Sequence, residues 1–213
     1  AWFKSVLEWP LKNIVAESEL LDEETKQKLI TETSDKIIGE LSEAASKIPI
    51  EESGVVALDW MNGRRTPDAN QNLKGAIAGL NLGSDAPRIF RALVEATAFG
   101  SKAINDRFIE EGVRIDGVIA LGGVAKKSPF VMQVVADVLD MRIKVARSEQ
   151  ACALGSAMAA SVAAGIYANT SEAQKNMGSG IETEYHPIPK NVEKYKVLYE
   201  KYRKFGNFIE FEF

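Results

Sequence analysis

Residues 117–146 of the chain read GVIALGGVAKKSPFVMQVVADVLDMRIKVA, and this segment determines the predicted fold. Its first part, residues 117–121, is an apolar run bounded by glycines, which predicts a strand buried on both faces of a sheet. Two adjacent glycines, Gly122 and Gly123, follow directly. They predict a tight turn whose backbone a ligand can approach closely, because no Cβ atom obstructs it.

A helix is predicted after this turn, because Ser128 offers a hydroxyl cap and Pro129 suits the first helical position. Apolar residues then recur at helical spacing up to Leu139. The short run RIKVA, residues 142–146, predicts a second strand. A strand, a helix and a strand in this order form a βαβ unit, so we expect the two strands to be parallel.

The rest of the chain alternates helical patterns with one further strand candidate, and no internal repeat or low-complexity linker marks a domain boundary. The Ala-rich stretch 151–166 is too short for a membrane span, and we expect it to be a buried helix with Cys152 as a small buried hydrophobe. The other predicted elements are a strand within 54–60 and helices within 19–47, 85–112 and 191–204.

The composition predicts a globular protein without nucleic acid or membrane partners. Of its 213 residues 46% are hydrophobic and 26% charged, and the net charge of −4 is spread without a basic stripe. A single cysteine suits a reducing cytoplasm, and no signal peptide is visible at the start of the sequence.

The double glycine has two interpretations. An adenine ring with its ribose could lie flat on this surface, held by backbone groups and by the side chain of Lys127 or Ser128. Alternatively, Gly122 and Gly123 only make a strand-to-helix turn. A dinucleotide site is disfavoured because it needs G-x-G-x-x-G, and a P-loop because no G-K-[ST] occurs in the chain.

A polar loop after the first strand is the other place where functional side chains concentrate. It carries Asp59, Asn62, Arg64 and Arg65. We expect a solvated loop in which Asn62 and Gly63 make a turn and Asp59 pairs with an arginine.

Two sequence stretches resemble the FGGY family of carbohydrate kinases, members of the actin-like ATPase superfamily. Residues 117–160 are similar to the adenosine-binding segment of that family, with its double glycine and its later Ala-Leu-Gly helix. GAIAGL at 75–80 and RIFRALVE at 88–95, seven residues apart, resemble the second family signature, with Arg88 at a position where that signature has an acidic, amide or His side chain. The resemblance implies an α/β fold, an actin-like (ribonuclease H-like) lobe with a mixed sheet flanked by helices, over residues 1–213.

The resemblance also implies a function. Such kinases use ATP and Mg²⁺, and the loop and tail sequences here are most similar to members that phosphorylate a ketopentose such as ribulose in L-arabinose catabolism. The family pattern places Gly122, Gly123, Val124 and Ala125 under the adenosine and Lys127 or Ser128 near the base edge. It places the catalytic residues in an N-terminal lobe, outside this chain, which alone is then expected to be inactive.

Alternative functions stay open from the sequence. They are a non-catalytic nucleotide-binding or regulatory module, another pentulose or polyol kinase of the same family, and a purely structural interaction domain. The sequence also leaves open whether the native protein forms a homo-oligomer.

Overall fold

The computed structural model describes residues 2–212, which form eight α-helices and five short strands. The helices are α1 Trp2–Leu7, α2 Glu23–Ser46, α3 Ala86–Glu110, α4 Gly123–Lys127, α5 Pro129–Leu139, α6 Ala151–Ala163, α7 Thr170–Met177 and α8 Pro189–Phe211. The strands are β1 Val56–Leu58, β2 Ala76–Ala78, β3 Val118–Ala120, β4 Ile143–Ala146 and β5 Ile181–Tyr185. A π-helical turn, Leu11–Val15, and a 3₁₀ turn, Ile50–Glu52, complete the regular structure of this part of the chain.

The chain divides into two compact units. Unit 1 comprises residues 1–100 and 197–213, and unit 2 comprises residues 101–196. Both boundaries fall inside continuous helices, α3 and α8. A boundary within a helix needs no Pro-, Gly- or Ser-rich linker, which explains why the sequence shows none.

Unit 1 contains an antiparallel pair, β1 and β2, and its helices pack around a core of aliphatic and aromatic side chains. Helix α2 begins at Asp22, whose carboxylate accepts a hydrogen bond from the Thr25 amide. The predicted aromatic face of α8 is confirmed, since Tyr199 and Tyr202 are buried and their rings lie 5.7 and 5.3 Å from that of Phe99.

A buried arginine of α3 pairs with a glutamate of the same helix and also contacts the end of α2. The Arg91 and Glu95 side chains, both on α3, meet at 2.7 Å, and each residue is only 3% exposed. The Arg91 guanidinium also donates to the carbonyl oxygens of Ala45 and Ile48 at the end of α2, each at 2.9 Å. Arg91 therefore adds a donor to carbonyl groups at the end of α2, where the Ala45 oxygen also accepts from the Ile48 amide at 3.2 Å.

Unit 2 is built on a three-stranded sheet in the order β3-β4-β5. Strands β3 and β4 are parallel, with Val118 opposite Ile143 and Ala120 opposite Val145, and β5 is antiparallel to β4. The predicted parallel pair and the helix between its strands are confirmed, and the sheet is mixed as expected. Strand β5 was not predicted, because its sequence IETEY has only two large apolar residues, one at each end.

The prediction that the first strand of this sheet is buried on both faces is wrong. Val118 and Ala120 pack against the core cluster of unit 2, which consists of buried residues of α4, α5 and β4. Ile119, between them, is 59% exposed. Since neighbouring side chains of a strand point to opposite faces, only one face of β3 is covered within this chain.

The prediction that the Ala-rich helix and Cys152 are buried is also wrong. In α6 only Ser161 is buried, and Cys152 is exposed. Its alanines lie on every side of the helix, so the sequence has no apolar stripe that would show which face is covered.

Asp137 ties helix α5 to the beginning of α8 within unit 2. Its carboxylate is 2% exposed and accepts hydrogen bonds from the Ile188 amide, the Asn191 side chain and the Gln133 side chain, each at 2.8 Å. A buried carboxylate with three hydrogen-bond donors is well satisfied. It fixes the C-terminal part of α5.

Candidate functional site

The turn after β3 has a left-handed residue at its first glycine. Gly122 has φ +86° and ψ −176°, a conformation that side-chain-bearing residues rarely adopt. Gly123 has no positive φ and begins the short helix α4. The sequence predicted one helix after the turn, whereas the structure has two, because α4 ends at Lys127 and the non-helical Ser128 separates it from α5, which begins at Pro129.

Both glycines face open space. A Cβ atom added at Gly122 or Gly123 would have no protein atom within 4 Å. By contrast, a Cβ at Gly79 would lie 2.3 Å from the Gly54 carbonyl oxygen, so that glycine is required by packing. Among residues 2–212 no steric contact requires Gly123, which, like several other glycines of the chain, has open space beside its backbone.

Three exposed apolar side chains surround this open backbone. Ile119 and Leu121 stand two positions apart at the end of β3 and so project from one face, and they are 59% and 56% exposed. Val124, in the first turn of α4, is 62% exposed. Bare backbone beside exposed aliphatic side chains makes an apolar surface, which suits a ring such as adenine.

Ser128 lies at the junction of α4 and α5, where it was predicted, but its hydroxyl does not cap the helix. The Ser128 backbone has φ −128° and ψ 83°, whereas the working caps Asp22 and Asn169 have ψ values of 159° and 170°. The Ser128 Oγ atom is buried and makes no hydrogen bond among residues 2–212. A buried hydroxyl without a partner is uncommon, which makes Ser128 a candidate for a hydrogen bond to a ligand.

The remaining predicted residues separate into a buried and an exposed set. Ala125 is 4% exposed and belongs to the core cluster of unit 2, so it supports the turn from beneath. Lys127 is exposed. The neighbouring Lys126, which sequence reasoning missed, forms an ion pair at 2.9 Å with Glu182 of β5. No sequence signal indicated this ion pair, since strand β5 and its pairing were not predicted.

The polar loop of unit 1 is held by a different ion pair from the one predicted. The Arg64 guanidinium donates to both carboxylate oxygens of Glu210 in α8, at 2.6 and 2.7 Å, and lies 5.3 Å from the centre of the Trp60 ring. This contact raises the pKa of Arg64 and lowers that of Glu210. Asp59 does not pair with an arginine as expected but bonds to the Thr97 side chain, and burial raises its pKa above the ordinary value.

We expect Asp59→Asn to stabilise the protein at pH 7 but not at pH 3. Because the folded-state pKa of Asp59 is raised, the protonated form is favoured by folding and its contribution is lost as the pH rises through that pKa. The amide carries no charge, so the gain at pH 7 should lie within about 0.5–2 kcal/mol and vanish below the ordinary pKa of about 3.9. Urea unfolding at both pH values measures it.

Asp35→Asn, at an exposed position of α2, is the matched control for this prediction. It removes the same charge without removing a buried carboxylate. An equal gain from Asp59→Asn at both pH values would show that burial of the charge is not the cause.

Neither a metal centre nor a membrane-spanning helix is found in residues 2–212. No group of three or more His, Cys, Asp or Glu side chains in this range is placed to hold a metal ion. None of the helices described is both long and apolar enough to cross a membrane.

Comparison with known sequences gives a family match over most of the chain. The FGGY family of carbohydrate kinases, C-terminal domain, matches residues 1–164. A ribulokinase of Vibrio parahaemolyticus is 49% identical over 212 residues, which are 99% of this chain and 36% of that protein. A ribulokinase of Bacillus licheniformis is 41% identical over 92% of this chain and 35% of its own length. The chain thus spans about a third of the length of these curated relatives.

Solved structures share the fold at lower sequence identity. A ligand-bound xylulose kinase of Lactobacillus acidophilus superposes with a TM-score of 0.73 at 24% identity, over 81% of this chain and 35% of that one. A xylulose kinase of Rhodospirillum rubrum gives 0.70 at 21% identity, over 97% and 38%. These likenesses confirm the predicted fold class, the actin-like lobe with a mixed sheet flanked by helices. Together with the match over residues 1–164, they establish that the chain belongs to the FGGY family of carbohydrate kinases and contains its C-terminal domain.

Proposed function

We propose that residues 1–213 form the C-terminal, nucleotide-binding lobe of an ATP-dependent sugar kinase that phosphorylates ribulose. The complete kinase, in this proposal, is this lobe joined to an N-terminal lobe that carries the sugar site and the catalytic base. The relatives are about three times as long as this chain, which supports a second lobe. The proposal includes a place in L-arabinose catabolism in the cytoplasm.

The observation that carries the nucleotide-binding part is the geometry around the double glycine. A Cβ at Gly122 or Gly123 would enter empty space, and Ile119, Leu121 and Val124 offer an exposed apolar surface beside it. The residues present therefore fit an adenosine, whose ring would lie on Gly123 and Val124. The orphaned Ser128 hydroxyl supplies a polar group near that surface, and Lys127 an exposed positive charge.

The part of the reaction that we assign to this chain is positioning. In kinases of this type the γ-phosphoryl group passes in line from ATP to a sugar hydroxyl, and correct placement with charge neutralisation provides most of the rate enhancement. Bound Mg²⁺ would neutralise charge on the β- and γ-phosphates. The residues around Gly123 would hold the adenosine, and we assign no residue of this chain to proton transfer.

The proposed sugar rests on the relatives. Two ribulokinases are 49% and 41% identical to almost the whole chain, whereas the xylulose kinases above are 24% identical or less. Sugar contacts belong to the other lobe in this proposal, so the assignment is inferred from overall similarity and not from a pocket in this chain.

A coupled assay of ADP formation tests the proposed activity. We expect the complete kinase to consume ATP faster with ribulose than with xylulose or glycerol, and the 213-residue chain alone to show no sugar-dependent ADP formation. Ribulose-dependent turnover by the chain alone would contradict the division of labour between lobes. A complete protein that binds ATP but phosphorylates no pentulose or polyol would instead be the regulatory module considered above.

A further inference from the structure

The short helix α4 depends on support from the rest of unit 2. It is a single turn of five residues between left-handed Gly122 and Ser128, whose hydroxyl makes no cap. A helix of this length is not stable by its own hydrogen bonds. Its conformation must therefore be fixed by side chains that reach other elements, and Ala125 and Lys126 are placed to do this.

Ala125 and Lys126 anchor the turn in different ways. Ala125 packs into the core cluster of unit 2, beneath the turn. The Lys126 side chain is only 18% exposed, and its Nζ atom lies 2.9 Å from Glu182 Oε2 of β5. A second carboxylate, that of the exposed Glu149 ahead of α6, is 3.9 Å away. Glu182 is the closer partner and hence the main ionic anchor.

The adjacent lysine provides a contrast within the same helix. Lys127 has the same charge, is exposed, and forms no ion pair with any residue that the structure describes. Position along the chain therefore does not explain why Lys126 is held. Its side chain is directed to the strand beside β4, and it holds α4 from the side while Ala125 holds it from beneath.

We propose that Lys126 is a positioning residue for the nucleotide: its ion pair with Glu182 holds α4 in the conformation in which Gly123 and Val124 receive the adenosine. The inference rests on the proposed nucleotide-binding function. It gives Lys126 no contact with the ligand, so the carboxylate of Glu182 matters as much as the ammonium of Lys126. Loss of either group frees the turn while the apolar contacts of Ala125 remain, so binding suffers more than folding.

Titration of the chain with adenosine and with ATP, followed by NMR, tests this proposal. Adenosine is uncharged and cannot respond directly to a change of protein charge. We expect Lys126→Gln and Glu182→Gln each to raise the Kd for both ligands about threefold to fivefold, and the double variant to add little more. The matched control Lys175→Gln, at an exposed position of α7 in the same unit, should change the Kd for adenosine by less than about twofold, and Lys126→Arg should retain most of the affinity.

Other outcomes would overturn the inference. If Lys126→Gln weakens the binding of ATP but not of adenosine, while Glu182→Gln strengthens the binding of ATP, Lys126 contacts the phosphates directly. If affinity and melting temperature fall together and Lys126→Arg restores neither, the ion pair serves stability only. Unchanged Kd values in both single variants would remove any role for the pair. If the unmodified chain binds neither adenosine nor ATP, the proposed function fails, and this inference fails with it.

Discussion

Arg91→Met is expected to lower the free energy of unfolding by about 3–5 kcal/mol, the range for breaking a buried ion pair by removal of one partner. The substitution keeps a long apolar side chain but leaves the Glu95 carboxylate buried without its arginine. It also removes the donor to the carbonyl oxygens of Ala45 and Ile48 at the end of α2. Urea unfolding at pH 7 measures the loss.

Arg88→Met, one turn earlier in the same helix, is the matched control. Arg88 pairs with Asp85 at 2.7 Å on the surface, where removal of an ion pair costs about 1 kcal/mol or less. The double variant Arg91→Met/Glu95→Met should regain part of the stability, because no buried charge is then left over. Equal losses of stability in Arg88→Met and Arg91→Met would contradict the claim that the buried ion pair of Arg91 stabilises unit 1 more than a surface pair does.

Gly123→Val is expected to raise the Kd for adenosine and for ATP more than tenfold while the chain stays folded. Gly123 has no positive φ, and a Cβ atom there would meet no other part of the protein within 4 Å, so we expect the fold to tolerate the substitution. It would instead occupy the space proposed for the adenosine, and a loss of about 1.4 kcal/mol in binding suffices for a tenfold change. NMR titration and a thermal melt measure the two properties separately.

Substitutions at two other glycines distinguish a loss of nucleotide binding from a loss of stability. Gly122→Ala forces a side chain into the left-handed region at φ +86°, so it should lower stability by about 1–2 kcal/mol. Gly39→Val, in the middle of α2, also adds a side chain to open space and should leave nucleotide affinity unchanged. Unchanged affinity in a folded Gly123→Val variant would mean that the double glycine makes a turn and nothing more.

The elements around the double glycine were predictable because local signals agreed there. An apolar run, two glycines and a Ser-Pro pair before an apolar stripe predicted β3, the turn, the start of α5 and the parallel pairing with β4. The separate helical turn α4, which ends before Ser128, was missed. The non-helical backbone of Ser128 agrees with its place before Pro129, because proline keeps the preceding residue out of the helical region, but the five residues before it carry no helical pattern.

Features that depend on distant partners could not be read from the sequence. The ion pair of Lys126 requires β5, and the pairing of Arg64 with Glu210 joins residues far apart in the chain. Charges of this kind have no characteristic spacing. The exposure of Ile119 and of helix α6 was missed for a related reason, since apolar composition indicates a tendency to be covered and not whether the cover lies within this chain.

The central claim is that the turn after β3 binds the adenosine of ATP, and backbone amide NMR of the chain with adenosine at millimolar concentration tests it most directly. We expect saturable shifts that are largest at Gly123, Val124 and Ser128, with the amides of the unit 1 helix α2 unaffected as an internal reference. If ATP displaces adenosine and perturbs the same amide signals, the two ligands share one site. Absence of shifts at residues 119–128, or shifts confined to another part of the chain, would contradict the account.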